Sequence, residues 1–131
     1  MLRFFIIACG RAIGTLARYI LSGLDYRFSN GIFPVSTLVI NLIGSLIIGL
    51  LWGLFERFAV SSQVRMFLFI GVLGGFTTFS TFSLECFNLF RDGEFKIALV
   101  NILITNIAGV ILVFVGFKAS QSIINIFKIA R

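Results

Sequence analysis

Histidine is absent from this 131-residue chain, proline occurs once and cysteine only twice. Without histidine the chain lacks the usual general base and the commonest metal ligand of proteins. Two cysteines are too few for the disulfide framework of a small secreted domain. Charge is scarce as well, because Asp, Glu, Lys and Arg make up 12% of the residues, against about 25% in a typical soluble domain. These shortages exclude a soluble enzyme and a secreted disulfide scaffold.

Apolar residues fill the gap, at 59% of the chain and a mean hydropathy of +1.09. They form four segments, at about 4–24, 35–55, 66–90 and 97–117. Each segment is long enough for a helix to cross a hydrocarbon core about 30 Å thick, which takes about 20 residues. The segments are continuously apolar and do not alternate, which favours helices over a β-barrel. We therefore expect an all-α membrane protein, with 1–131 as a single transmembrane domain of four helices.

Four spans place both termini on the same side of the membrane. Six basic residues belong to that side: Arg3, Arg57, Arg65, Lys118, Lys128 and Arg131. Three belong to the other side, with Arg18 close to it: Arg27, Arg91 and Lys96. The positive-inside rule favours cytoplasmic termini, but the bias is small, and such a chain can plausibly insert either way up. The net charge of +6 does not indicate nucleic acid, because the basic residues are spread between apolar runs.

Small and polar residues recur every four positions in three of the spans. Residues four apart lie on the same face of a helix. The stripes are Gly10, Gly14, Arg18 and Ser22 in span one, Asn41, Ser45, Gly49 and Gly53 in span two, and Asn101, Thr105 and Gly109 in span four. Stripes of small residues are typical of close helix packing in lipid. Packing explains Arg18, Asn41 and Asn101 less well, because polar groups at this depth need a protein partner or water.

The third span contains five hydroxyl residues and three phenylalanines within residues 76–83, directly after a pair of glycines. This density predicts that the helix is broken here, with side-chain oxygens replacing lost backbone partners. The alternative is an intact helix whose hydroxyls bond to their own preceding turn. Phenyl rings have positive edges, so ring edges together with hydroxyl and amide donors form a lining that suits an anion better than a cation.

These motifs resemble the small bacterial fluoride channels, the Fluc or CrcB family. The most specific motif is Gly74-Gly-Phe-Thr-Thr-Phe-Ser-Thr-Phe-Ser83, followed by Glu85. The resemblance extends over essentially the whole chain, through Gly14-Thr-Leu-Ala-Arg18-Tyr19, Thr37-Leu-Val-Ile-Asn41-Leu-Ile-Gly44, and Ala98-Leu-Val-Asn101 with Gly109. It implies an antiparallel, dual-topology homodimer with two pores in the bacterial inner membrane. Fluoride would leave the cell through these pores passively, which relieves its toxicity.

The resemblance also implies roles for individual residues. The expected fluoride pathway consists of Asn41, Phe79, Ser80, Thr81, Phe82, Asn101 and Thr105. Arg18 matches the family's first-span arginine, whose guanidinium suits backbone carbonyls or an anion. A structural sodium ion at the dimer centre would be held by the main-chain carbonyls of Gly74 and Thr77. Two positions depart from the family: Arg11 replaces a usual glycine, which puts close packing at that turn in doubt, and Gly109 replaces a frequent serine.

Other functions are compatible with four short spans. A small multidrug or cation exporter needs a membrane-buried carboxylate. The first span of this chain contains arginine and no carboxylate, which argues against an exporter. A non-transporting scaffold would leave the hydroxyl cluster of the third span unexplained. An intramembrane enzyme is disfavoured, because histidine is absent and Asp25 and Asp92 belong to loops. We expect Cys9 and Cys86 to be buried free thiols. Glu85 faces either a pore vestibule or the membrane interface.

Overall fold

The computed structural model describes Met1 to Ile129, apart from the side chains of Tyr26 and of residues 127–129. It is helical, and four of its helices are long and apolar enough to cross a membrane. The helices are α1 (Leu2–Leu21), α2 (Leu24–Phe28), α3 (Val35–Arg57), α4 (Ser62–Arg65), a π-helical segment (Met66–Leu73), α5 (Gly74–Phe76), α6 (Phe79–Arg91) and α7 (Phe95–Ile129). The expected four-span, all-α architecture is confirmed. Lys128 and Arg131, assigned above to the terminal side, lie outside the described side chains.

The third span begins earlier than expected. The apolar boundary placed Arg65 in the connection between spans two and three. In the structure it lies at the end of α4, which is the first part of the third span, Ser62–Arg91. Ser61 is the N-cap residue of α4, and its hydroxyl oxygen accepts a hydrogen bond from the Val64 N–H at 3.4 Å. Serine is a preferred N-cap residue, so Ser61 could have predicted this helix start. The predicted span began at Met66 because only the apolar residues were used to define it.

The fourth span is longer than expected. Instead of ending near Phe117, α7 runs for 35 residues to Ile129. At 1.5 Å per residue its length is about 50 Å, well beyond a hydrocarbon core of about 30 Å. No glycine or proline interrupts the sequence after Gly116, and Ser120 and Ile124 remain buried, at 0% and 4% exposure. The helix continues because it still has a surface to pack against.

Glycines bring the helices into backbone contact. A Cβ atom on Gly49 would lie 2.1 Å from the carbonyl oxygen of Val113, and one on Gly14 would lie 2.0 Å from that of Val72. The Gly49 contact joins α3 to α7, which belong to spans two and four and run in the same direction. The Gly14 contact joins α1 to the π-helical segment. Close packing is therefore confirmed as the role of these stripe glycines.

The third span is broken, as the hydroxyl cluster predicted. Thr77 and Thr78 between α5 and α6 are extended, with ψ angles of 157° and 119°. The Thr78 hydroxyl then caps α6 by accepting from the Thr81 N–H at 3.3 Å. The intact-helix alternative is wrong. The π-helical turns before the break, at Met66–Leu73, were not predicted from the sequence, although such turns are frequent at functional sites.

Candidate functional site

The break is held by one side chain from the neighbouring span. The Asn41 Nδ2 on α3 donates to the Thr78 carbonyl at 3.1 Å, and the Asn41 Oδ1 accepts from the Thr78 N–H at 3.0 Å. A carboxamide is the side chain that can serve a donor and an acceptor of one backbone residue together. Since Thr78 is buried, these bonds replace the helical partners that the break removes.

A cavity of about 360 Å³ lies beside this contact. Its lining combines amide, hydroxyl and phenyl groups and includes Asn41, Ser45, Thr77, Thr78, Phe79, Phe82, Thr105 and Asn106. Four residues of the expected pathway therefore share this cavity, namely Asn41, Phe79, Phe82 and Thr105. Thr78 and Asn106 also line the cavity but were not among the predicted pathway residues. Both residues could have been recognised from the sequence as candidates for this site. Thr78 belongs to the hydroxyl cluster, and Asn106 is a polar residue within an otherwise apolar span.

The two phenylalanines differ in burial. Their ring centroids lie 5.9 Å apart, and the ring planes are inclined at 46°. The Phe82 residue is only 7% exposed, whereas Phe79 is 79% exposed. Phe82 therefore forms part of the wall within one chain, and Phe79 projects outward from it.

Ser80 and Thr81 do not line the cavity beside Asn41. Ser80 lies in a cavity of about 560 Å³ with Arg11, Arg18 and Phe79. Thr81 lies in another, of about 340 Å³, which it shares with Arg18 and Glu85. The guanidinium-bearing Arg18 lines both of these cavities. Residues 79–82 thus face three adjoining spaces, because successive residues on α6 point in directions 100° apart.

Asn101 is 1% exposed and does not reach the cavity itself. Its Nδ2 donates to the Cys86 sulfur at 3.4 Å, and its Oδ1 accepts from the Thr105 hydroxyl at 3.3 Å. Asn101 thus positions Thr105, which does line the cavity. Cys86 and Cys9 are both free thiols, as expected, but only Cys86 is buried, whereas Cys9 is half-buried.

Glu85 faces the interior of the protein. Its Oε1 accepts from the Thr37 hydroxyl at 2.6 Å, and its Oε2 is a buried oxygen without a hydrogen-bond partner in the described part of the chain. The carboxylate lines two cavities at the loop side of the molecule, and Asp25 lines both as well. The carboxylate therefore faces interior cavities and not the membrane interface, and its place in a pore vestibule stays a prediction.

The break also frees backbone oxygens. In a continuous helix the carbonyls of Gly74 and Thr77 would accept from the N–H groups of Thr78 and Thr81. Those two N–H groups donate instead to Asn41 and to the Thr78 hydroxyl. The Gly74 carbonyl accepts from the Arg11 guanidinium at 3.4 Å.

Arg11 does not prevent close packing at its turn. A Cβ on Gly75 would lie 2.6 Å from the Arg11 carbonyl oxygen, so the two backbones touch. The doubt about close packing at this turn is removed, because the Arg11 backbone makes the contact and its side chain is exposed. In the described part of the chain, no three Cys, Asp or Glu side chains group as metal ligands.

Four spans, with one of them broken beside a polar and aromatic cavity, define a multi-pass membrane protein. Residues 5–117 match the family described as CrcB-like protein, Camphor Resistance (CrcB), and the chain belongs to that family. Its relatives include proteins named fluoride-specific ion channel FluC. The one from Parabacteroides distasonis is 42% identical over 98% of this chain and 100% of its own length. The one from Desulforapulum autotrophicum is 47% identical, over 82% and 86% respectively. The family is one of ion channels and not of enzymes.

Proposed function

We propose that this protein is a fluoride-selective channel that releases fluoride passively across the bacterial inner membrane and so relieves fluoride toxicity. The observation that carries the proposal is the broken third span, clamped by Asn41 beside the phenyl rings of Phe79 and Phe82. The names of the relatives support fluoride as the ion. No carboxylate is among the residues that line the cavity, so an anion there meets no fixed negative charge.

The lining suits a small anion for physical reasons. Fluoride entering a narrow pathway must exchange its hydration shell for contacts with the protein. The positive ring edges of Phe79 and Phe82 supply such contacts, and the Thr105 hydroxyl adds one when it turns from the Asn101 Oδ1 to the anion. Ser80 and Thr81 extend this set of donors into the adjoining cavities, beside the guanidinium of Arg18. A cation would find no carboxylate in the same lining.

We further propose an antiparallel homodimer with two pores. Phe79 is 79% exposed at the mouth of the cavity, which leaves one side of the pathway without a wall in a single chain. A second copy would provide that wall. The small difference in positive charge between the two sides is compatible with insertion in both orientations.

A sodium ion between the two breaks belongs to the same proposal. The main-chain carbonyls of Gly74 and Thr77 lose their helical donors at the break, and hard cations prefer oxygen ligands of this kind. These carbonyls would hold the ion and so tie the two breaks together. The Arg11 guanidinium, which already donates to the Gly74 carbonyl, would have to share that oxygen.

The test is fluoride efflux from liposomes that contain the purified protein and potassium fluoride, recorded with a fluoride electrode. A passive channel moves charge, so we expect efflux only after a potassium ionophore is added to balance it. Rapid efflux without the ionophore would indicate coupled exchange with another ion. Absence of efflux under both conditions would reject the proposal.

A further inference from the structure

The edge of the hydrocarbon region is marked on the terminal side of the molecule by two residues. Trp52, the only tryptophan, is 54% exposed on α3, and its Nε1 donates to the Glu56 carboxylate at 2.8 Å. Lys118 is the first charged residue after the apolar part of α7. A Cβ on Gly53 would lie 1.9 Å from the Ser120 hydroxyl, so Trp52 and Lys118 lie at nearly the same height. Tryptophan and lysine at one height are typical of a membrane interface.

A cleft of about 260 Å³ lies at this height between α3 and the start of the third span. It is lined by Trp52, Arg65, Met66, Phe69 and Ile70. The Phe69 ring meets the Trp52 ring edge-on, with centroids 6.0 Å apart. The cleft opens outward, since Ile70 is 50% exposed. Its floor is apolar and aromatic, and Arg65 supplies its single cationic group.

The Arg65 guanidinium is held in place. Its carbon lies 5.5 Å from the centroid of the Phe55 ring, and its Nη2 donates to the Phe55 carbonyl oxygen. A guanidinium has five N–H donors in a fixed planar arrangement, so several remain for a ligand. Two parallel donors match the oxygens of a phosphate group.

The terminal side of the molecule also carries an excess of positive charge. Its described basic residues are Arg3, Arg57, Arg65 and Lys118, whereas Glu56 is its only acidic residue. The other four acidic residues of the chain, Asp25, Glu85, Asp92 and Glu94, belong to the loop side. A basic surface at the membrane interface attracts anionic lipid headgroups.

We propose that this cleft binds an anionic phospholipid, with its phosphate at Arg65 and the upper part of one acyl chain against Trp52 and Phe69. A phospholipid is the partner that carries a phosphate and an apolar chain in the order in which the cleft presents a guanidinium and an aromatic floor. The proposal does not depend on which ion the protein conducts.

The single tryptophan makes the proposal directly testable. The full-length protein is placed in phosphatidylcholine vesicles with phosphatidylglycerol as the minor lipid, and one of the two lipids carries brominated acyl chains. Bromine quenches indole fluorescence on contact, so quenching of Trp52 reports which lipid occupies the cleft. We expect brominated phosphatidylglycerol to quench about fivefold more strongly than its share of the bilayer predicts. Quenching in proportion to that share would overturn the proposal, and absence of quenching by either lipid would show that a second copy covers the cleft.

Two variants separate the cleft from the general surface charge. Arg65→Gln should abolish the preference for phosphatidylglycerol. Arg57→Gln is the matched control: it removes the same charge at the same end of the molecule, but Arg57 does not line the cleft. An equal loss of preference in both variants would assign the effect to diffuse attraction and reject the site. If Arg65→Gln fails to fold, Arg65→Lys replaces it: lysine keeps the charge but lacks the planar pair of donors, so the preference should still fall, and an unchanged preference would reject a phosphate at Arg65.

Discussion

Asn41 and Thr78 are joined by two hydrogen bonds, in which the asparagine carboxamide takes the place of a helical turn. The Nδ2 serves the Thr78 carbonyl at 3.1 Å and the Oδ1 serves the Thr78 N–H at 3.0 Å. The pair fixes the point where the third span breaks and orients α6 with its phenylalanines. Two backbone carbonyls that have lost their helical donors lie beside it. The conformation of the candidate pathway therefore depends on one side chain from span two.

Asn41→Asp should disrupt this pair and block fluoride. The carboxylate cannot donate to the Thr78 carbonyl, and it adds a negative charge to the cavity. We expect loss of fluoride efflux and a drop in the free energy of unfolding of about 1–3 kcal/mol, the cost of a buried unsatisfied group. Thermal unfolding in detergent and efflux from liposomes measure the two effects.

Asn106→Asp is the control for stability. The Asn106 amide lines the same cavity but bonds only to the Ile102 carbonyl of its own helix, at 2.7 Å. The Asn106→Asp variant should therefore have the same free energy of unfolding as the unmodified protein. If Asn41→Asp also retained the original stability and efflux, Asn41 would have no role in holding the break.

Phe79→Ile should abolish fluoride efflux without weakening the single chain. The ring is 79% exposed, so little packing within the chain is lost. Phe82→Ile should also abolish efflux, but with a loss of about 1 kcal/mol or more, because this ring is 7% exposed and its removal changes a packed wall. Unfolding curves and efflux rates distinguish the two cases.

Phe87→Ile provides the matched control on the same helix. Phe87 is 59% exposed and does not line the cavity beside Asn41. The Phe87→Ile variant should release fluoride at the same rate as the unmodified protein. Undiminished efflux in both pathway variants would show that Phe79 and Phe82 are packing residues only.

Gly49→Ala should separate α3 from α7. The new Cβ would lie 2.1 Å from the Val113 carbonyl oxygen, and a backbone atom cannot rotate away as a side chain can. We expect overpacking to cost about 1–3 kcal/mol or more. Gly109→Ala adds the same methyl group 3.4 Å from the Ser45 hydroxyl and should be tolerated. Equal unfolding temperatures for the two variants would contradict the described packing of α3 and α7.

Arg11→Met should strengthen the stabilising effect of sodium. The substitution keeps a good helix former at this position but removes the guanidinium that donates to the Gly74 carbonyl at 3.4 Å. Sodium would then have that oxygen to itself. The measurement is the unfolding temperature in sodium chloride compared with the chloride of a bulky organic cation. A sodium effect no larger in Arg11→Met than in the unmodified protein would remove Gly74 from the proposed cation site.

The sequence predicted the features that follow from composition and local pattern. Apolar runs between charges predicted four spans, and the hydroxyl cluster at residues 76–83 predicted the break. The glycine stripes predicted where helices touch. Each of these signals is carried by residues close together in the chain, where helical periodicity relates them directly.

The features that the sequence did not predict depend on contacts between helices. The pairing of Asn41 with Thr78 requires a particular height and rotation of α3 against the break, and periodicity within one span does not determine either. The distribution of Phe79, Ser80, Thr81 and Phe82 among three cavities has the same origin. The extension of α7 beyond Phe117 depends on burial of Ser120 and Ile124, and the apolar boundary alone did not reveal it.

A comparison of fluoride with chloride shows whether the cavity at the break conducts a small anion selectively. Liposomes that contain the protein are loaded with either potassium fluoride or potassium chloride, and release of each anion is recorded after addition of a potassium ionophore. We expect rapid release of fluoride and retention of chloride, because the phenyl edges and hydroxyl groups around the break fit a small anion. Equal release of both anions, or retention of both, would contradict this expectation.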